Sequence, residues 1–434
     1  MALHDTVAAA LRQAIASGAY GEGARLPTHR DLARTHGVAI GTITRAIDQL
    51  TQEGLVRGEV GRGTFVLPRS ATPSTSVIDL TINFPPPLIG DAAFQAAAAR
   101  AARAALDIPS AGYADLRGTS AQREVLARWL QPRVPGVHAD ELMTCVGGQH
   151  GIHLAFAALK PASAGIASEA ATFSGAIAAA ADLGLPFHAV AHDDEGMLPD
   201  ALAKVLKSTG CRAVYTVPVC QNPLGFETGE ARRRDILEVC RRHDAWIVED
   251  DVYGLYESKA AATYRALDPA RTWYLTSTSK ALSPLMRVGV LLPPADAYGA
   301  TAARLRAEVW GAAPIAIEFA CALIEMGVAE QVARDLKAEA RERVRLAADM
   351  LQLTPPMPDG AAHVWVAMPA AEAERLVRRA AEAGVRLTPP DATAVDDVVA
   401  GVRLCVMAPG RRADLVRALR VVAELRHAAH EPIV

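Results

Sequence analysis

Lys280 follows an apolar run that ends in the small hydroxylated turn Thr276-Ser277-Thr278-Ser279. Arg287 comes seven residues later, ahead of a second apolar run from Val288 to Leu292. The chain holds six lysines against 39 arginines, so a basic position defaults to arginine. A primary amine forms Schiff bases and loses its proton when desolvated, and a guanidinium does neither. In isolation Lys280 reads as a surface lysine at a loop end. Its surroundings in the chain argue for more.

Three other short motifs fall where apolar runs end. Gly147-Gly148-Gln149-His150-Gly151 lies between the strand-like Leu142 to Val146 and a helical stretch from Ile152 to Leu159. A glycine-rich turn opening a helix offers free amides and a positive dipole end to a phosphate, although a plain tight turn has the same pattern. Gln221-Asn222-Pro223-Leu224-Gly225 follows a strand expected over Ala213 to Val219, where Asn222 either donates to a ligand oxygen or caps a turn. Trp246 to Tyr253 ends a strand in Asp250, Asp251 and Tyr253. In open α/β sheets, ligands bind at that carboxyl edge.

The elements that must position these residues are apolar strand-like runs alternating with alanine-rich helical stretches from Val77 onward. That is the pattern of a largely parallel sheet flanked by helices. A length of 434 residues suggests two or three domains. A net charge of −3 marks no global polyanion binder. Charges, Gly and Pro interrupt every apolar run of membrane-spanning length, and there is no secretory pattern at the N-terminus. The six cysteines are scattered without metal-ligand spacing and read as small buried residues. The expectation is a soluble cytoplasmic protein with no metal and no membrane partner.

Residues 1–69 read differently. Leu3, Val7, Ala10, Leu11, Ala14 and Ile15 recur at helical spacing up to Gly18. Thr28 is placed to cap a second helix with Asp31 reciprocating. Gly37 breaks the chain, and a third helix from about Ile40 to Glu53 buries Ile43, Ile47 and Leu50 and presents Thr42, Thr44 and Arg45. Two short strands then flank a glycine turn. Three helices and a hairpin make a winged helix-turn-helix, whose third helix can enter the major groove. Eight basic and six acidic residues through Arg69 make this part mildly basic. The Pro- and Ser-rich residues 70–76 suit a short exposed tether.

The head resembles the GntR family of bacterial regulators through Leu26-Pro27-Thr28-x-Arg30-x-Leu32-Ala33, Gly41-Thr42-Ile43-Thr44-Arg45 and Gly61-x-Gly63-Thr64-Phe65. The resemblance implies that Arg30, Thr42, Thr44 and Arg45 face DNA, with Arg62 and Gly63 at the minor groove. Residues 77–434 resemble a fold-type I aminotransferase body that binds pyridoxal 5′-phosphate (PLP), a large subdomain over about 125–330 and a smaller α+β one from about 77–124 and 331–434. That resemblance implies Lys280 as the internal aldimine lysine, and Asp250 (less so Asp251) on the pyridinium nitrogen. Tyr253 and Asn222 fall on the ring oxygen. Gly148 and Gln149 amides, Ser277, Ser279 and Arg287 fall on the phosphate. Phe173 is placed to stack on the ring, Arg403 to clamp a substrate carboxylate, and Tyr113 as an active-site neighbour.

The whole chain is similar to the MocR-type subgroup of the GntR regulators. This implies a homodimer that binds a DNA operator and senses an amine, an amino acid or PLP. Two features depart from the group. Asn222 stands where many members have another residue, and the tether is short. A working aminotransferase, or a body that serves only for dimerisation, remains open on sequence.

Overall fold

The structure, a computed structural model, describes residues 3–16, 19–21, 23–52, 55–59, 63–66, 77–106, 115–353, 357–396 and 399–428. Backbone packing divides the chain into two units, Met1–Ser76 and Val77–Val434.

The first unit runs α1 (Leu3–Ala16), α2 (His29–His36), α3 (Ile40–Gln52), β1 (Val56–Glu59) and β2 (Gly63–Val66). Thr28 caps α2: its Oγ1 accepts from Asp31 N at 3.3 Å and donates to Asp31 Oδ2 at 2.6 Å. Gly37 closes α2 at φ 62°, a left-handed conformation that glycine adopts without a Cβ clash. Leu11, Leu26, Leu32, Ile43 and Leu50 are fully buried in one core, each contributing about 1.5–3 kcal/mol by leaving water. Leu3 and Ala10, placed on the apolar stripe from sequence, are exposed, and Ala8 is buried instead. β1 and β2 pair antiparallel as the wing. Gly18, Gly61, Arg62 and the tether lie outside the described residues.

The second unit opens with β3 (Ile78–Asp79), α4 (Asp91–Leu106) and α5 (Ser120–Leu130). Then come β4 (Met143–Val146), α6 (Gly147–Leu159), β5 (Ile166–Glu169), α7 (Ser174–Asp182) and β6 (Phe187–Val190), and a small hairpin of β7 (His192–Asp193) and β8 (Gly196–Met197). The chain continues through α8 (Pro199–Thr209), β9 (Ala213–Thr216), α9 (Glu230–Arg242), β10 (Trp246–Asp250), α10 (Tyr264–Leu267) and β11 (Thr272–Ser277). It goes on through α11 (Thr278–Ala281), β12 (Val288–Leu292), α12 (Tyr298–Val309), α13 (Pro314–Glu325) and α14 (Val328–Leu351). It ends with β13 (Val364–Ala367), α15 (Ala370–Glu382), β14 (Val385–Arg386), β15 (Gly401–Leu404) and α16 (Arg412–Ala428).

A seven-stranded sheet in the order β4-β12-β11-β10-β9-β5-β6 forms the centre. β12 runs antiparallel to both its neighbours, and the other pairings are parallel. The β9, β10, β11 and β12 segments are buried almost throughout, as expected for strands covered by helices on both faces. β9 stops at Thr216, short of the expected Val219, so Val217–Gln221 forms part of the loop carrying Asn222. Outside the large sheet, β13 pairs with β15, and β3 pairs in parallel with β14. The chain entering this unit is thereby stitched to its C-terminal part.

Candidate functional site

The carboxyl edges of β10, β11 and β15 meet the N-termini of α6 and α7 around a cavity of about 240 Å³. Gly148, Gln149, Phe173, Asn222, Asp250, Tyr253, Ser277, Ser279, Lys280, Arg287 and Arg403 all line it. Tyr113 lies outside the described residues.

Lys280 sits on α11, one turn past the end of β11, and its Nζ donates to the Asn83 carbonyl. Burial, helped by the nearby charges of Arg403 and Arg287, pushes its amine down to about 8. Asp250 is buried at the end of β10 and accepts from Tyr215 Oη at 2.8 Å and from Val252 N at 3.3 Å. Burial raises its carboxyl to about 6, with the Tyr215 hydrogen bond opposing. Asp251 faces elsewhere. Arg133 holds it with two bonds of 2.8 and 2.9 Å, and Tyr274 Oη donates to it at 2.9 Å. Of the two acids open on sequence, Asp250 is the one in the cavity.

The residues expected at the phosphate come from the start of α6 and from the connection between β11 and β12. Gly147 has φ 72°, and a Cβ there would lie 2.8 Å from Arg287 Nη2, so the arginine crosses the start of α6 only because that position is glycine. Ser277 Oγ accepts from Ser279 N at 3.1 Å and has Ser279 Oγ and the Val288 carbonyl at 3.0 and 3.1 Å. Its single hydrogen is thus engaged within the loop, leaving Ser279 the better-placed hydroxyl donor. Gln149 Nε2 donates to Gly175 O at 2.7 Å. The Phe173 ring folds over Gly175, where a Cβ would come within 2.5 Å of ring carbons.

Arg403 is buried on β15. Its Nη1 donates to Asn222 Oδ1 at 2.6 Å, and its Nη2 to Thr81 O at 2.5 Å and Thr388 Oγ1 at 3.0 Å. With its oxygen so held, Asn222 turns its NH₂ to donate. Tyr253 Oη accepts from Asn83 Nδ2 at 2.7 Å, so its own hydrogen is left for another acceptor. Asn83 Nδ2 also meets His363 Nδ1 at 2.9 Å, and His363 Nε2 lies 2.9 Å from the Gln221 carbonyl. Gln221 O only accepts, so Nε2 carries the ring proton and Nδ1 accepts. Burial, then the charge of Arg403, pushes this histidine down to about 3, so the ring is neutral. Sequence reading missed Thr81, Asn83, Tyr215, His363 and Thr388. Tyr215 lies inside an expected strand, and nothing local in the sequence marks the other four.

The lining fits a phosphorylated aldehyde of the pyridine type. It offers an amine of lowered basicity, a buried carboxylate, an aromatic ring, and an arginine beside a glycine-rich helix start. Two buried polar atoms at its border, Asn83 Oδ1 and Arg403 Nε, have no partner among the described residues, as expected of groups that serve a ligand.

In the first unit, Arg30, Thr44 and Arg45 are exposed and Thr42 half-buried on the faces of α2 and α3 away from the core. Thr44 Oγ1 lies 3.2 Å from Ile40 O and 3.3 Å from His29 Nδ1, which ties α3 to the start of α2. Gly63 opens β2 at φ 116°, and a Cβ there would meet Arg25 Nε at 2.6 Å, placing Arg25 at the root of the wing.

Residues 75–422 match the family of aminotransferases of class I and II, and residues 3–66 match the gntR family of bacterial regulatory proteins. The chain is 27% identical to the HTH-type transcriptional regulator YjiR of Escherichia coli over 68% of this chain and 69% of that one. It is 24% identical to the regulator YisV of Bacillus subtilis over 84% of each. It is 28% identical to the 2-aminoadipate transaminase of Thermus thermophilus over 65% of this chain and 71% of that one. Among solved structures, the kynurenine aminotransferase of Pyrococcus horikoshii superposes with a TM-score of 0.73 at 24% identity, covering 82% of this chain and 92% of that one. An archaeal alanine:glyoxylate aminotransferase superposes with a TM-score of 0.73 at 21% identity, covering 89% and 94%. The second unit has the fold-type I aminotransferase fold, and the chain belongs to the aminotransferase class I and II family, whose cofactor is PLP. With its gntR head it is a GntR-type transcriptional regulator of the MocR type, and it binds DNA.

Proposed function

We propose that this regulator binds an operator through α3 and the wing, and senses an amine, an amino acid or PLP itself through Lys280. The observation that supports this most directly is that the Lys280 amine, lowered to about 8, shares one cavity with Asp250 and Arg403. A chain with a DNA-reading head has little need of such a site unless its occupancy matters to binding. PLP, when bound, supplies an aldehyde and a protonated ring that withdraws electrons.

Every remaining role falls to the chain. Lys280 Nζ presents a nucleophile whose neutral form is accessible near pH 8. Asp250 holds the proton on the ring nitrogen, and Tyr215 keeps Asp250 anionic. Tyr253 and Asn222 donate to the ring oxygen, and Phe173 covers one face. The Gly148 and Gln149 amides, Ser279 and Arg287, with Ser277 ordering their loop, receive the phosphate. Arg403 receives the carboxylate of an amino acid. Tyr113 is a further candidate at this site. In the head, Arg30, Thr42, Thr44 and Arg45 meet the major groove, and Arg62 and Gly63 the minor groove. The reading also includes a cytoplasmic homodimer; among the described residues no single helix is long and apolar enough to cross a membrane.

The test is fluorescence anisotropy of the full chain on DNA just upstream of its gene, against scrambled DNA, with and without PLP and amino acids. Selective binding that shifts with ligand supports the regulator, and binding indifferent to both sequence and ligand overturns it. Asn222 favours a second reading, an active aminotransferase, because its amide is free to donate in the cavity as in working transaminases. Steady turnover of amino acid and 2-oxo acid at about 1 per second or more would decide for that reading.

A further inference from the structure

Resting on the roles of Lys280 and Arg403 just given, we propose that Thr81-Ile82-Asn83 carries the state of the cavity to the chain entering the body. It responds fully only to an effector that has both an amine and a carboxylate. The segment follows β3 after Leu80, and residues 70–76, which lead to the head, precede that strand with only Val77 between. Ile78 N and Leu80 N bond to the carbonyls of Gly384 and Arg386 at 2.9 Å. Its far end is held by the very groups a ligand requires. Asn83 O accepts from Lys280 Nζ, and Thr81 O accepts from Arg403 Nη2.

When the Lys280 amine condenses with an aldehyde, a C=N bond replaces C=O, and two amine hydrogens leave with the oxygen as water. Asn83 O then loses its donor. A primary amine that takes over the carbon breaks the bond to Lys280 and passes it two hydrogens. The restored amine can donate to Asn83 O again. An amine effector therefore re-makes the hold at Asn83.

Arg403 works in the opposite sense. Both ways a guanidinium clasps a carboxylate with two parallel bonds include Nη2. Its two hydrogens already go to Thr81 O and to Thr388 Oγ1, and Thr388 Oγ1 itself donates to Thr81 O at 3.3 Å. A carboxylate must displace one of them, and either displacement alters what holds Thr81. An amino acid thus moves the segment's anchor from Thr81 to Asn83, whereas a plain amine restores Asn83 and leaves Thr81 held. Asn83 Nδ2, bonded to Tyr253, couples the same shift to the ring-oxygen residue.

The experiment uses the full chain loaded with PLP. The proteinogenic amino acids are screened for a change in cofactor absorbance. The best one and its decarboxylated amine are then dosed to the same fractional absorbance change. Hydrogen exchange is followed in the peptide covering residues 77–84, and operator affinity by anisotropy. The amino acid is expected to change exchange in that peptide at least about threefold and operator affinity at least about fivefold, with the amine giving less than half of either change. Equal effects of the two ligands, or unchanged exchange despite the absorbance change, overturn the proposal and leave the site's reading standing. If no amino acid alters the absorbance, the reading of the site itself fails, and the proposal with it.

Discussion

Tyr215 and Asp250 are joined by a 2.8 Å hydrogen bond between neighbouring strands, both side chains buried. The phenol has no other role in the cavity lining, so its purpose is legible as electrostatic: it keeps a carboxylate charged where burial opposes charge. A bond to a buried charged group contributes about 1.5–3 kcal/mol. Tyr215→Phe is therefore expected to weaken PLP about 10- to 100-fold. Asp250 titrates near 6, so its anion is lost as pH falls through that value. The deficit of the variant should extend to higher pH than in the parent. Equilibrium dialysis of PLP between pH 5 and 8 checks both points, and an unchanged affinity profile would count against Asp250 as the ring-nitrogen partner.

Lys280, lowered to about 8 by burial, is mostly protonated at pH 7. Only its neutral form attacks an aldehyde, and the neutral fraction rises from roughly a tenth at pH 7 to about nine tenths at pH 9. The rate of PLP capture, followed by stopped-flow absorbance, should rise about tenfold over that range and then level off. A midpoint near the ordinary lysine value would mean the amine is not desolvated in solution.

Lys280→Ala should abolish the visible absorbance that the bound cofactor owes to the conjugated carbon–nitrogen bond the variant no longer forms. It should also abolish ligand-dependent changes in operator affinity, while DNA binding itself persists. A colourless variant that still answers to effector would remove Lys280 from the signalling route.

Arg45 is exposed on α3, away from the head's core. Each phosphate neutralised by an arginine contributes about 0.9 to the slope of log affinity against log salt. Arg45→Ala should weaken all duplexes alike and lower that slope by about one if the residue meets a phosphate. If it reads a base, operator affinity should instead fall by about 1–3 kcal/mol with scrambled DNA little affected. Anisotropy at several salt concentrations separates the two, and no change in either quantity would take Arg45 off the interface.

The head and the sheet were legible because they rest on local signals. Thr28, Gly37 and the stripe of Ile43, Ile47 and Leu50 each follow from capping, left-handed backbone or helical periodicity. Asp250, Lys280 and Asn222 were legible because they stand at or shortly after the ends of apolar strand-like runs. Thr81, Asn83, His363 and Thr388 were not. They act through hydrogen bonds between residues far apart in the chain, such as Asn83 to His363 and Arg403 to Thr81, and no periodicity marks a polar residue for a partner it meets only after folding. The choice between Asp250 and Asp251 needed the structure for the same reason, since Arg133, which claims Asp251, is remote in sequence.

Because β12 runs antiparallel to β11, one short connection, α11 and the turn after it, carries both Lys280 and Arg287, where a parallel neighbour would have needed a long crossover. Their spacing is settled by a local closure, quickly reached and insensitive to the rest of the topology. Arg403 enters the same cavity only when β15 docks, which requires the distant end of the chain. During synthesis the cavity therefore acquires its lysine early and its carboxylate receptor last, and a chain truncated before β15 would keep Lys280 but lack the arginine that selects what it reacts with.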